Sequence, residues 1–343
     1  RLMGRLGGSA FSWRVLGGET DGGLPCRMDY APREPVAAKV HERDENSVPT
    51  APRRTCQSPP EQGHRVPTQQ GILSDMSAYQ VTQCQIEQFQ DDGFLLVQNL
   101  FDEEEMGYLL TISKTNLENE GHSHRDAGNR EARFWIESKT GEDIYTAICY
   151  SRRMVDAVKA LMNADVYLWH YRVHLKAARE GGAFEWHQDY AYWYERCLYP
   201  DLLSCLISVD QANKSNGCMQ VLRGSHRLGR VEHGKFGTQT GADPERIAWV
   251  EKYCERVYCE TKPGTALFFH ANLLHRSDPN ESDDPRWSLI CTYNTRHNPC
   301  LEEMLHHPTC RPLETWEVED VAESAWLPDH WRGQASLAAL TVG

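Results

Sequence analysis

The chain has 343 residues, 40% of them apolar and 25% charged, with 12 cysteines and a formal net charge of −13. The composition is ordinary for a folded chain, the acidic balance argues against nucleic acid as a partner, and no apolar run approaches the ~18 residues of a membrane-spanning helix. The cysteines are too sparse and too irregularly spaced for a disulfide scaffold, so reduced thiols in a cytoplasmic compartment are expected.

Residues 1–75 contain 8 Pro and 9 Gly, near-balanced charge and no apolar period, which reads as a disordered leader. Met76 precedes the first patterned sequence and is a candidate start. Arg1, Arg5 and Arg14, with no acid before residue 19, faintly resemble a mitochondrial transit peptide, although the glycines among them weaken any amphipathic helix. The final Thr-Val-Gly is not a peroxisomal tripeptide. A single domain is expected over residues 76–343, with a tail from about 300.

Within it, Val81 to Gln90 has Ile86 and Phe89 on one face and Thr82 three residues before Gln85, the pattern of a capped helix. Phe94 to Gln98 reads as a strand. The acids Asp102 to Glu105 suit the start of a helix running to about Leu117. Residues 121–130 read as a polar loop. Strands are expected at Val166–Leu175, Leu202–Val209, Cys218–Leu222, Thr265–Phe269 and Trp287–Tyr293, with Pro263-Gly264 in a type II turn before the fourth. Many short strands with helices at the front predict a mainly β fold, an antiparallel sandwich or jelly roll. Residues 121–150 and an insertion at 228–260 are expected to form lids over its mouth.

The segment Phe184-Glu-Trp-His187-Gln-Asp189-Tyr190 carries the chemistry. On a strand, His187 and Asp189 share one face and offer an imidazole nitrogen and a carboxylate oxygen to one metal ion. A second histidine from a distant strand completes a 2-His-1-carboxylate triad suited to non-haem Fe(II). A lone His-x-Asp is weak evidence, and the chain has another, His124-Arg125-Asp126, in turn-like sequence read as a solvated loop. For the third ligand His275 is the better candidate and His270 the rival. Ser277 and Arg286 follow His275, and an arginine at the base of a barrel binds a carboxylate through two parallel hydrogen bonds. Tyr190, Tyr192, Trp193 and Tyr194 are read as core, with a substrate-facing wall as the functional alternative. Cys254 and Cys259 lack a second pair at zinc spacing, and His306-His307 suits a surface loop.

These residues resemble the phytanoyl-CoA dioxygenase family of Fe(II)- and 2-oxoglutarate-dependent oxygenases. The matching segments are Phe89 to Val97, Trp186-His-Gln-Asp189, Asn216 to His226, Lys262-Pro-Gly-Thr265, and His275-x-Ser277 with Arg286, in the right order. Tyr171 to Lys176 and His187 to Trp193 look most like ectoine-hydroxylase-type members. The resemblance implies a double-stranded β-helix (jelly-roll) core. It implies that His187, Asp189 and His275 hold iron, and that Arg286 and Ser277 bind the distal carboxylate of 2-oxoglutarate. His174 and Phe184 fall beside the cosubstrate, His174 departing from the amide expected there. His170, Arg172 and Trp193 fall where substrate is contacted, and His226 where a structural residue sits.

The implied reaction is hydroxylation of an aliphatic C–H of a small organic molecule with O2, giving succinate and CO2. Asp189 favours hydroxylation, since related halogenases lack this carboxylate. Alternatives are an acyl-CoA 2-hydroxylase, whose phosphates Arg246, Lys252 and Arg256 would meet; a non-catalytic jelly-roll sensor of iron and 2-oxoglutarate; and a cupin-like enzyme with another metal. A small-molecule substrate is expected, with no nucleic-acid or membrane partner, and nothing in the pattern specifies an oligomer.

Overall fold

The computed structural model describes residues 79–120, 122–137, 143–236, 238–299 and 301. The expected leader and nearly all of the expected tail, His306-His307 included, lie outside them. The chain enters through α1 (Gln83–Asp92), where the Thr82 hydroxyl accepts from the Gln85 N–H and the Gln85 side chain accepts from the Thr82 N–H at 2.9 Å. This is the reciprocal cap that the spacing predicts. β1 (Phe94–Val97) and α2 (Glu103–Glu120) follow, the latter with three glutamates in its first turn. β2 (His122–Arg125), β3 (Glu131–Glu137), α3 (Ile144–Tyr150) and α4 (Arg152–Met162) lead to the long β4 (Val166–Lys176).

The second half runs β5 (Phe184–His187), α5 (Asp189–Trp193), β6 (Leu202–Ser208) and β7 (Met219–Leu222). The insertion then supplies β8 (His233–Phe236), β9 (Gln239–Ala242), α6 (Pro244–Tyr253) and β10 (Arg256–Cys259). β11 (Ala266–His270), β12 (His275–Ser277) and β13 (Arg286–Thr295) complete it. A seven-stranded sheet has the order β1-β11-β6-β13-β4-β3-β2, and a four-stranded sheet β10-β7-β12-β5. β8 and β9 form a separate hairpin. Neighbouring strands in all three run antiparallel. This is the expected mainly β, jelly-roll arrangement.

The period of two along each central strand separates core from cavity. On β4, Trp169, Tyr171, Val173 and Leu175 join the apolar core that α1, α3 and α4 cover, while His170, Arg172 and His174 line the cavity. On β13, Trp287, Leu289, Cys291 and Tyr293 take the core side and Arg286, Ile290 and Thr292 the cavity side. A smaller apolar cluster, including Phe94, Leu206, Val221, Leu267 and Phe269, fills the space between the two sheets. A third packs Ile247 and Val250 of α6 against Trp186, Leu222 and Leu274.

The turn into β11 closes as the sequence predicts. The Thr265 N–H reaches the Lys262 carbonyl at 3.2 Å, and Gly264 sits at φ +77°. A Cβ there would lie 2.0 Å from the Phe101 carbonyl oxygen, so only glycine fits.

Two local expectations are corrected. Residues 122–125 are a strand, not a loop, because β2 pairs with β3 and extends the large sheet by one edge. The strand carrying His187 ends there, and Asp189 opens α5. The two ligands therefore meet across a strand-to-helix junction. Seven described cysteines are free thiols, whereas Cys84 is disulfide-bonded, against the expectation of uniformly reduced thiols. Among the described residues no helix is long and apolar enough to cross a membrane.

Candidate active site

His187 at the end of β5 lies opposite His275 at the start of β12, with ring centroids 4.1 Å apart. Each ring points its Nδ1 at a backbone carbonyl two residues earlier: Glu185 O at 2.6 Å for His187 and Leu273 O at 2.9 Å for His275. A carbonyl only accepts, so Nδ1 carries a proton in each ring and Nε2 is the nitrogen left to face a metal. Burial, reinforced by His275 and opposed by the Glu185 carbonyl, holds the His187 pKa well below the usual imidazole value. That ring is neutral at physiological pH.

Asp189 is buried and accepts from the Ser204 hydroxyl at 2.7 Å, which in turn pairs with Thr292 Oγ1 at 3.0 Å. Its other carboxylate oxygen stands 3.8 Å from His275 Nε2, too far for a hydrogen bond. One donor atom from each of His187, Asp189 and His275 lies within 4.8 Å of the others. Two imidazole lone pairs and a carboxylate oxygen, each ligand pinned by an outer hydrogen bond, fit a divalent metal of the non-haem iron type.

These three groups open into a cavity of about 390 Å³. All ten residues singled out in the sequence line it: His170, Arg172, His174, Phe184, His187, Asp189, Trp193, His275, Ser277 and Arg286. Arg286 is buried, donates to the Gly217 carbonyl at 2.6 Å, and leaves Nε without a partner. Burial lowers its pKa to about 10, opposed by the Cys218 thiol, so the guanidinium stays charged at neutral pH. Gly217, at φ +74°, is fixed as glycine because a Cβ would come 2.2 Å from the Asp278 carbonyl oxygen. His174 lies beside Phe184, centroids 5.7 Å apart, with a buried Nε2 that has no partner. Burial, then Arg172 and Arg286, keep His174 neutral.

His270 is not part of this cluster. Its Nδ1 accepts from the Asn272 N–H at 3.0 Å, and it serves the turn before β12. His226 is structural, its Nε2 3.1 Å from the Gln90 carbonyl. The aromatic cluster after Asp189 divides. Tyr192 and Trp193 line the cavity, Tyr190 is core with its hydroxyl on the Leu198 carbonyl at 3.0 Å, and Tyr194 is exposed.

Sequence reasoning passed over Gln188, the residue between the two ligands. It is fully buried, donates to the Gly229 and Asn272 carbonyls at 2.8 and 2.7 Å, and accepts from the Val231 N–H at 2.7 Å. It ties the metal-ligand segment to the insertion and to the turn preceding His275. A buried amide with every partner satisfied leaves no periodic signal. His124, read as a solvated loop residue, also lines the cavity, as do Phe134 of β3 and Lys235, Thr238, Gln239 and Thr240 of the β8–β9 hairpin. The two segments expected as lids touch: the Thr238 hydroxyl accepts from the Arg125 N–H at 3.0 Å and donates to the Arg125 carbonyl at 2.8 Å.

Among known proteins, the chain is similar to the ectoine dioxygenase of Bordetella parapertussis, 27% identical over 233 residues, covering 62% of this chain and 75% of that one. It is 32% identical over 158 residues to the L-proline trans-4-hydroxylase of Streptomyces griseoviridis, covering 41% of this chain and 59% of that one. In fold it is similar to the crystal structure of EctD from S. alaskensis with bound Fe, at a TM-score of 0.55 and 23% identity, covering 64% of this chain and 79% of that chain. The epimerase SnoN in complex with Fe3+, alpha ketoglutarate and nogalamycin RO gives a TM-score of 0.56 at 19% identity, covering 68% and 91%. Residues 89–288 match the family model for phytanoyl-CoA dioxygenase (PhyH), which is more than half of the sequence, and the chain belongs to that family.

Proposed function

We propose that this protein is an Fe(II)- and 2-oxoglutarate-dependent dioxygenase that hydroxylates an aliphatic C–H of a small organic molecule. The observation that carries the reading is the convergence, in one cavity, of the His187–Asp189–His275 donor set and the buried guanidinium of Arg286. His187, Asp189 and His275 would hold the iron. With 2-oxoglutarate and O2 bound, that centre supplies the oxidising power for hydroxylation, releasing succinate and CO2.

The chain's own groups do the positioning. Arg286 and Ser277 receive the distal carboxylate of 2-oxoglutarate, the guanidinium through the N–H groups that Gly217 does not occupy. His174 and Phe184 flank the cosubstrate. His170, Arg172 and Trp193 contact the substrate, and the lids exclude water. Ser204 fixes the Asp189 carboxylate so that its free oxygen faces the histidines.

A small molecule is favoured over an acyl-CoA because two of the three insertion cations that could meet CoA phosphates are engaged elsewhere. Arg256 pairs with Glu251, and Lys252 lies over the Trp249 ring, 4.4 Å from its centroid. The relatives named for ectoine and L-proline point the same way. The seven free thiols fit a cytoplasmic location, and the disulfide at Cys84 weighs against it.

Purified protein given Fe(II) is expected to convert 2-oxoglutarate to succinate, slowly even without substrate. Profiling of metabolites with and without enzyme is expected to reveal a mass gain of one oxygen. Protein that neither binds Fe(II) nor consumes 2-oxoglutarate would overturn the reading.

A further inference from the structure

Lys176 ends β4 two residues beyond His174, in register with Arg286 of β13. Two basic side chains therefore face each other across neighbouring strands, both withdrawn from water, an arrangement that costs stability. Lysine is rarely buried fully, yet Lys176 is only 1% exposed. It also stands behind the cavity wall, to which β4 contributes His170, Arg172 and His174.

The side chain holds two main-chain carbonyls. Its Nζ donates to Gly182 O at 2.6 Å and to Asp278 O at 2.5 Å. Burial, then Arg286, lowers its pKa well below the usual lysine value. An amine offers at least two N–H bonds whether or not it is charged, so both contacts persist in either state.

Those carbonyls bracket one end of the β5–β12 pair. Gly182 lies two residues before Phe184, where β5 begins, and Asp278 follows Ser277, where β12 ends. Phe184 and Ser277 are register partners, but the ladder is irregular between Ser277 and His275, which faces His187. Beyond that irregularity Lys176 ties the two strands together from the side. The Asp278 carbonyl oxygen is also the atom that a Cβ on Gly217 would meet at 2.2 Å, and Gly217 O accepts from Arg286. The Phe184 ring centroid lies 5.5 Å from Nζ. One amine thus fixes the segments carrying Phe184 and Ser277 and, through Asp278, abuts the backbone that Arg286 grips.

We propose that Lys176 is a positioning residue for 2-oxoglutarate: by clamping Gly182 and Asp278 it sets Phe184, Ser277 and, through Gly217, Arg286 in the geometry that receives the cosubstrate. The proposal rests on the oxygenase reading and deepens it at the cosubstrate end of the cavity.

The test measures the Kd for 2-oxoglutarate on the Mn(II)-loaded full chain by titration calorimetry, beside Mn(II) affinity and the urea midpoint. Lys176→Met keeps an apolar stem and removes the donors. It is expected to weaken 2-oxoglutarate at least about tenfold and Mn(II) by less than about twofold. Lys176→Gln, with two N–H bonds on a shorter stem, is expected to recover part of that loss. In an Arg286→Leu background the same Lys176→Met exchange is expected to cost less than about threefold, because the main group it positions is gone. A merely structural lysine would lower the urea midpoint without this split or this non-additivity.

An unchanged Kd for 2-oxoglutarate in Lys176→Met overturns the proposal. So does an equal loss of Mn(II) affinity, or an undiminished loss in the Arg286→Leu background. Should neither Lys176 variant fold, amide exchange in the unaltered, Mn(II)-loaded chain decides. Residues 183–185 and 276–278 are expected to exchange at the same rate with and without 2-oxoglutarate. Slowing on its addition would show that the cosubstrate, not the lysine, orders these segments. If the unaltered chain binds 2-oxoglutarate and the variants match it, the proposal falls and the oxygenase reading stands. If the unaltered chain binds neither Fe(II) nor 2-oxoglutarate, both fall.

Discussion

At the metal end of the cavity, His187 and His275 each anchor Nδ1 on a carbonyl, Asp189 rests on Ser204, and Gln188 between them satisfies three partners. On β4, Arg172 donates to His170 Nε2 and the buried His170 Nδ1 has no partner, and the two segments expected as lids meet through Thr238 and the Arg125 backbone. The first region is organised in advance of any ligand. The second leaves a donor for whatever binds. A chemistry common to many substrates needs the former, and discrimination among them resides in the latter.

The sharpest way to break this contrast is at the metal. Asp189→Ala is expected to reduce Fe(II)-dependent 2-oxoglutarate turnover to the protein-free rate and to abolish saturable Mn(II) binding. Retention of either would remove Asp189 from the ligand set. Arg286→Leu is expected to cost about 3 kcal/mol of cosubstrate binding, roughly a hundredfold rise in KM for 2-oxoglutarate. An unchanged KM would relocate the distal carboxylate.

His270 tests the scaffold under the metal end through pH. Burial, reinforced by His226, lowers its pKa to about 4 from 6.5. Between those values the unfolded chain takes up a proton that the folded chain refuses, so stability falls as pH drops from 6.5 towards 4. The loss is about 3 kcal/mol. Urea unfolding across that range is expected to be flatter for His270→Gln by about one proton, and parallel curves would refute the assignment. Ser204→Ala is expected to weaken Mn(II) binding by about 10- to 100-fold, the usual effect of removing a ligand's outer hydrogen bond. The smallest effect belongs to the mouth. Thr238→Ala is expected to speed amide exchange at Arg125 about fivefold, with Mn(II) affinity unchanged, and a loss of Mn(II) affinity would show that the two regions are coupled.

The same division explains what the sequence made legible. Strands β1, β4, β6, β7, β11 and β13 were readable to within about two residues, because alternation and the Pro263-Gly264 turn are local signals. The metal triad was readable once the flanking segments were taken together. β2 was not, since its pairing with β3 makes a strand of His122–Arg125 where nothing in its own polar sequence does. Nor was the break between His187 and Asp189. It depends on the Tyr190 N–H reaching the Ala271 carbonyl at 3.0 Å, a contact between residues 81 positions apart. The segments 121–150 and 228–260 were expected over the mouth, but which of their residues reach the cavity, such as His124 and Lys235, was not legible, because tertiary contacts bring them there.

The alternation along β4 from Trp169 to Leu175 makes the enzyme intolerant of frame errors. Sliding this strand by one residue against β13 would drive Trp169, Tyr171 and Val173 into the reaction chamber and bury His170, Arg172 and His174 in hydrocarbon. Deletions or insertions inside β4 should therefore be lethal to folding, whereas exchanges confined to positions 170 and 172 can retune what the chamber accepts with the packed layer behind them intact.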